Sequence, residues 1–194
     1  MSGAGHGHGE HGHGEGTNKK IALLISVLAL LLAFSGTLAK SAQTSAISHN
    51  IEAANLWAFF QAKTIRMTAV RTAAEGLETE LATMTSKPVR EAYEQRIESW
   101  KKTAARYDSE PETQEGRKEL AARAKAAEQK YARALAAYHW YELASAALEI
   151  GIVLASAGVI TGIVALPWVS GGLGVTGVVL SLIGFFAPQA VHLF

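Results

Sequence analysis

Four histidines near the N-terminus are the first candidates for a chemical role. His6, His8, His11 and His13 stand in a segment made mostly of Gly, His and Glu. Neutral imidazole binds Zn, Ni and Cu, so a tract of this composition can hold such ions weakly. The plainer interpretation is a solubilising tail. Metal binding or sensing is therefore one hypothesis for this chain, and no other cofactor is expected.

A single carboxylate inside an apolar stretch is the second candidate. Glu149 lies between Tyr141 and Trp168, two aromatic residues spaced as if they marked the two faces of a bilayer. A charge at that depth costs roughly 2.5 kcal/mol or more, so the carboxyl would be protonated, paired or lined by water. Glu149 would then serve a proton or ion path, or a polar contact between protomers. Alternatively, the helix is shifted outward and Glu149 reaches the interface.

Several classes of chemistry find no support in this sequence. Cysteine is absent, which excludes thiolate catalysis, disulfides and cysteine-based zinc sites. No phosphate loop, zinc-protease helix, nucleophile elbow or dinucleotide fingerprint occurs. The net charge of +1 does not indicate a nucleic-acid partner. We therefore expect a protein that is not an enzyme.

Three apolar segments predict an all-α membrane protein. The first, 20–39, nearly spans a hydrocarbon core about 30 Å thick if it is helical. We interpret it as a retained anchor rather than a cleaved signal peptide, following a disordered tail at 1–19. The other two, 143–166 and 173–187, predict a C-terminal transmembrane hairpin whose last helix either crosses fully or is re-entrant.

Small residues recur at four-residue spacing in the hairpin. This spacing lets transmembrane helices approach closely, and it predicts packing at four glycines: Gly151, Gly158, Gly162 and Gly177.

The middle segment, 40–142, is charged and predicts a soluble, antiparallel, coiled-coil-like helical domain with helices at about 41–85, 88–107 and 111–142. Its first helix carries apolar or Ala residues at steps of three and four. They are Ile47, Ile51, Ala54, Ala58, Ala62, Ile65, Ala69, Ala73, Leu77, Leu81 and Met84. The average step is nearer to an eleven-residue than to a seven-residue repeat, so the stripe does not imply a left-handed supercoil. We expect this stripe, and Ile65 in particular, to hold the assembly together.

An aromatic cluster lies at the start of the same helix. Trp57, Phe59 and Phe60 are close in sequence, and such clusters usually pack against a neighbouring helix. Contact with a partner or with the lipid interface is the alternative.

The stretch SAQTSAISHNIEAANLWAFFQAKTIRMTAVRTAAE, after a Lys-preceded Leu-rich anchor, resembles a bacterial membrane family known only as a domain of unknown function, DUF4337. The run NLWAFFQAKTIR, from Asn55 to Arg66, is its most specific part. The resemblance implies a bacterial inner-membrane protein. It implies no activity.

These features favour a membrane scaffold or oligomeric interaction module acting through its soluble helices. The expected partners are the bilayer and either further copies of the chain or another membrane protein. A small transport component using Glu149 and a metal protein using the histidine tail are the alternatives. Basic residues before the second span place the middle domain in the cytoplasm, although the pair before the first span indicates the opposite.

Overall fold

A computed structural model describes residues 12–190 of the chain, and within that range the side chains at all positions except 12–15 and 17. The described residues form four helices and no strand. The helices are α1 (Gly12–Leu81), α2 (Lys87–Asp108), α3 (Arg117–Thr161) and α4 (Ala165–Phe186). The predicted all-α class is confirmed.

The helices are longer than the sequence patterns indicate. The predicted segments 20–39 and 41–85 form one helix, α1, which also includes residues 12–19 that we expected to be disordered. The predicted 111–142 and 143–166 are likewise one helix, α3. Hydropathy changes sharply at these junctions, but no Pro interrupts the backbone there, so the helical hydrogen bonds continue.

The turn between α3 and α4 also lies earlier than the sequence suggests. We expected it at residues 167–172, but it occurs at Gly162, whose φ of 72° is in the left-handed region. Pro167 then falls in the first turn of α4, where its missing N–H has no helical acceptor to lose. As a result α4 begins at Ala165 rather than residue 173, and it is long enough to cross a membrane.

The described chain divides into two compact units. Unit 1 consists of the chain up to Ala46 and from Arg133 onward, and unit 2 is Ile47–Ala132. In unit 1, Leu28 of α1 lies against Gly151 and Gly174, while Ser35 lies against Tyr141 and Ser181. These pairs make α3 antiparallel to α1 and α4 parallel to it.

In unit 2, α2 and α3 follow one another along α1 instead of forming a three-helix bundle. Glu78 of α1 pairs with Lys101 of α2, while Trp57 of α1 hydrogen-bonds Glu128 of α3. Lys63 of α1 faces Tyr107 near the end of α2, and Thr64 accepts a hydrogen bond from Arg117 at the start of α3. Both partners therefore run antiparallel to α1, with α2 covering its later part and α3 its earlier part. Because this arrangement is two helices thick, each helix keeps an outward face.

Glu119 of α3 closes the connection from α2 to α3. Ser109 donates a hydrogen bond to Glu119 at 2.7 Å, and Glu119 also accepts the backbone N–H of Glu110 at 3.1 Å. Consequently α3 starts at Arg117 instead of residue 111. A Cβ at the buried Gly116 would lie 2.7 Å from the Cα of Ser109, so the turn needs glycine there.

Asp108, the last residue of α2, joins that helix to α3 through charge. It pairs with Lys118 at 3.0 Å and with Arg117 at 3.2 Å. The hydrogen bond from Lys118, followed by the charges of Lys118 and Arg117, holds the pKa of Asp108 below its usual range. Its ionised form therefore stabilises the turn.

We predict that Gly116→Ala destabilises the protein by about 1–3 kcal/mol, because the added methyl overpacks the turn. The matched control is Gly76→Ala, at a helical position with nothing within 4 Å of the added Cβ. That change should stabilise α1 by about 0.5–1 kcal/mol. Thermal unfolding followed by circular dichroism in detergent measures both. Equal effects of the two substitutions would contradict this account of the turn.

A second prediction concerns the stability of the protein at low pH. Since the folded-state pKa of Asp108 is lowered, its contribution is present above its ordinary value of 3.8 and is lost as the pH falls through the folded value. Asp108→Asn should lower the unfolding temperature at neutral pH and flatten its fall on acidification. Glu112→Gln, at an exposed residue of the same connection, is the control. Parallel acid profiles for all three proteins would refute the assignment.

Candidate interaction surfaces

Leu28 lies at the centre of unit 1. Leu28 is only 1 % exposed and lies near the middle of the apolar part of α1. A Cβ at Gly174 would be 2.6 Å from its Cδ2, and one at Gly151 would be 3.5 Å from its Cδ1. Gly151 and Gly174 are themselves near the middle of the apolar part of α3 and of α4. The midpoints of the three apolar segments therefore meet at one level.

Other small residues bring the same helices together. A Cβ at Gly177 would lie 2.7 Å from Cγ of Leu148, and one at Gly158 would lie 2.8 Å from Cδ of Pro167. Gly162, predicted to pack with them, has nothing within 4 Å and serves the turn instead. Glycine at these contacts allows the helix axes to approach closely.

A serine cluster links all three helices of unit 1. Ser35, 2 % exposed, donates to the backbone oxygen of Tyr141 at 3.0 Å. It accepts hydrogen bonds from Ser145 at 3.2 Å and from Ser181 at 3.5 Å. A hydroxyl has one proton and two lone pairs, so Ser35 uses its full hydrogen-bonding capacity in an apolar setting.

Glu149 lies close to the level of Leu28 but faces away from it. It precedes Gly151 by two residues, which is about 3 Å along a helix. Its side chain is exposed, while its neighbour Leu148 is 1 % exposed. Within residues 18–190, Glu149 makes no hydrogen bond or ion pair. It is thus a carboxyl on the outer surface of unit 1, surrounded by apolar side chains.

The core of unit 2 forms where α1 meets α3. Its buried residues are Ala53, Leu56, Leu120, Ala124 and Ala127. Trp57 and Phe60 pack against them with their rings edge to face, 5.4 Å between centroids. The indole N–H of Trp57 donates to Glu128 at 2.7 Å. These two aromatic side chains therefore fasten the two helices to each other.

Phe59 has a different environment from its neighbours. It is 37 % exposed, and its ring lies 5.4 Å from the ammonium nitrogen of Lys63. Lys63 is buried, and it also faces the ring of Tyr107 and the carboxylate of Glu115 at 3.7 Å. The two rings and the carboxylate together offset the desolvation of this cation.

The predicted apolar stripe of α1 is exposed over most of its length. Ile47 and Ile51 are each 55 % exposed and Ile65 is 69 % exposed, and the alanines between them are exposed as well. The buried positions here are Ala46, Ala53, Leu56, Lys63, Met67 and Ala74, and with the partly buried Phe60 they recur at steps of three, four and seven. Alanine fits either face of a helix, so the spacing of apolar residues alone did not show which face of α1 the other helices of unit 2 would cover. We call the exposed residues 47, 51, 54, 58, 62, 65 and 69 the α1 outer face.

The four histidine side chains of the N-terminal tail lie outside the part of the chain that the structure describes. His6, His8 and His11 lie outside the described residues, as does the side chain of His13. Among the side chains that are described, no three or more His, Asp or Glu come together as metal ligands would.

The profile of one protein family, described as a domain of unknown function, matches residues 17–187. The chain belongs to this family, DUF4337. The predicted family is thereby confirmed. No curated protein and no solved structure matches the chain.

Two features of this DUF4337 chain were missed from sequence. The serine cluster could have been suspected, because Ser35 interrupts a Leu-rich run. The central position of Leu28 could not have been suspected from sequence, since the residues around it in the chain are equally apolar. Both depend on contacts between segments more than one hundred residues apart.

We predict that Ser35→Ala weakens the packing of the three helices by about 0.5–1.5 kcal/mol, because interhelical hydrogen bonds in apolar surroundings contribute on this order. Thr37→Ala is the matched control, since Thr37 donates only to Ala33 of its own helix. Unfolding in mixed detergent and SDS micelles measures both. If Thr37→Ala proved as damaging as Ser35→Ala, the serine cluster would not be what links the helices.

Proposed function

We propose that this DUF4337 chain is a non-enzymatic scaffold of the bacterial inner membrane. Three spans in unit 1 anchor it, and unit 2 assembles through the α1 outer face with a second copy or another membrane protein.

The membrane anchor is supported by length, composition and surface. Three helices are long and apolar enough to cross a membrane. Large apolar side chains are exposed on all three helices of unit 1, among them Leu30, Phe34, Val153 and Phe185. In water such a surface would aggregate, whereas lipid is a favourable solvent for it.

The α1 outer face is the observation that carries the scaffold proposal. Unit 2 is rich in ion pairs and is suited to water, yet Ile47, Ile51 and Ile65 point outward from it. Covering each isoleucine would contribute about 1.5–3 kcal/mol to association. The alanines between them keep the face shallow, so another helix can lie along it.

Charge supports a cytoplasmic unit 2. The four basic residues nearest to the second span lie on the unit 2 side, and they are Arg123, Lys125, Lys130 and Arg133. Residues 162–164, which join the second and third spans, contain none. By the positive-inside rule the first group stays in the cytoplasm.

The two alternatives have less behind them. A proton or ion path within one copy needs Glu149 between the helices, whereas its side chain is on the outer surface. Metal binding by His6, His8, His11 and His13 stays a prediction, because those side chains are not among the described ones.

The test is a double variant, Ile51→Asp with Ile65→Asp. It should reduce the products cross-linked through unit 2 in native membranes by about tenfold or more, since a loss of about 1.4 kcal/mol already gives a factor of ten. Because both residues are exposed, the unfolding temperature of detergent-purified protein should not fall. Mass spectrometry of the cross-linked products identifies the partner.

Val89→Asp is the control, at an apolar residue of α2 that is 43 % exposed and lies outside the α1 outer face. It should leave the assemblies intact. The proposal fails if the wild-type protein gives no cross-linked product, or if the double variant assembles as well as the control.

A further inference from the structure

We propose that two copies of this chain pair within the membrane through the α3 surface that carries Glu149, and that the two Glu149 carboxyls hydrogen-bond to each other. This inference rests on the part of the proposed function that puts unit 1 in lipid. It does not depend on the α1 outer face.

With unit 1 in lipid, Glu149 lies near the middle of the hydrocarbon layer. Leu28 joins Gly151 and Gly174 at the midpoints of their apolar segments, so this contact lies near the middle of the hydrocarbon layer. Glu149 is about 3 Å from that level along α3. Reaching either interface would require crossing about half of a layer roughly 30 Å thick, which is beyond a glutamate side chain. Snorkelling therefore does not solve the solvation of this carboxyl.

The Glu149 side chain points outward from unit 1. Glu149 is exposed on the outer surface of unit 1 and bonds to none of the described residues. Lipid tails offer no donor or acceptor, and an unpaired polar group among them costs several kcal/mol. No Lys or Arg follows Arg133 in the sequence, so the C-terminal spans carry no cation for it. None of the described residues supplies a partner for this carboxyl, and a second polypeptide in the membrane can supply one.

The symmetry of a pair of copies brings their two Glu149 carboxyls together. Two copies in one membrane with the same orientation are related by a two-fold axis along the membrane normal. Identical residues then meet at identical depth. Two uncharged carboxyls that meet in this way each donate their O–H to the other's carbonyl oxygen, which satisfies both groups and leaves no charge in the hydrocarbon.

The surface around Glu149 fits such a pair. Ala146 precedes it by three residues and Val153 follows it by four, and both are exposed on the same side of α3. Steps of three and four define the stripe by which parallel helices pair. The small Ala146 lets the two α3 axes come near enough for the carboxyls to touch.

Single-cysteine cross-linking tests the proposal cleanly, because the natural chain has no cysteine. Ala146→Cys and Val153→Cys are introduced separately, with Glu149 intact, and native membranes are oxidised. Each should give a disulfide-linked dimer. Val27→Cys is the control on α1, exposed and adjacent to Leu28 and therefore at the same depth. It should give several-fold less dimer, since its surface is not in the pair.

The carboxyl itself is tested in the Ala146→Cys background. Glu149→Leu should reduce the dimer several-fold, while Glu149→Gln should largely retain it, because a primary amide also donates and accepts. As Glu149 is exposed, neither change should lower the unfolding temperature of the detergent-solubilised protein. Equal dimer yields from Ala146→Cys and Val27→Cys would overturn the proposal, as would a Glu149→Leu variant that pairs normally. A Glu149→Gln variant as defective as Glu149→Leu would also overturn it, since the group would then act through its charge or proton.

The α1 outer face can be judged apart from this result. Ile51→Asp with Ile65→Asp should leave the Ala146→Cys dimer in place, whether or not it abolishes other assemblies. If the chain proved not to reside in a membrane at all, neither proposal would stand.

Discussion

Helices that pack only two or three together cannot cover their own outward faces, and this constraint governs both units. In unit 2, α1 meets α2 along one part and α3 along another, so its remaining face stays open with three isoleucines on it. In unit 1, three apolar helices surround Leu28 and expose most of their large side chains. What those faces contact is therefore the central question about this DUF4337 chain. We propose lipid for the outer surface of unit 1, a second copy for its Glu149 surface, and another helix for the α1 outer face.

Small residues make the inner faces possible. Gly151, Gly174 and Gly177 leave room for Leu28 and Leu148, and alanines take the same role in unit 2 at Ala53, Ala124 and Ala127. Close axes leave little space between helices, so bulky side chains are directed outward. The serine cluster fits the same geometry, because a short hydroxyl can reach a neighbouring backbone only when the helices are near. The closest contacts between helices thus fall on small residues, while many large apolar side chains of unit 1 are exposed, unlike in a typical soluble domain.

Periodicity on α1 identified a stripe that lies opposite the core of unit 2. The stripe through Ile51 and Ile65 is real, yet the core forms on the face of Leu56 and Met67. Both faces carry alanine at helical spacing, so a count of apolar positions does not separate them. The helix limits were missed for a related reason. Hydropathy reports which solvent a segment prefers, while a helix ends only where the backbone is interrupted, as at Gly162.

The helical class, the three apolar segments, the family and the absence of thiol chemistry could all be recognised in the amino-acid sequence alone. These follow from local composition, which sets the preferred solvent and conformation of each segment. The tertiary structure was needed to show which face of α1 is buried, where α3 begins, and that Glu149 lies near the level of Leu28 and points outward. Those outcomes depend on how Leu28 is matched with Gly151 and Trp57 with Glu128. Such matches join residues far apart in the chain, and no local pattern encodes the register between them.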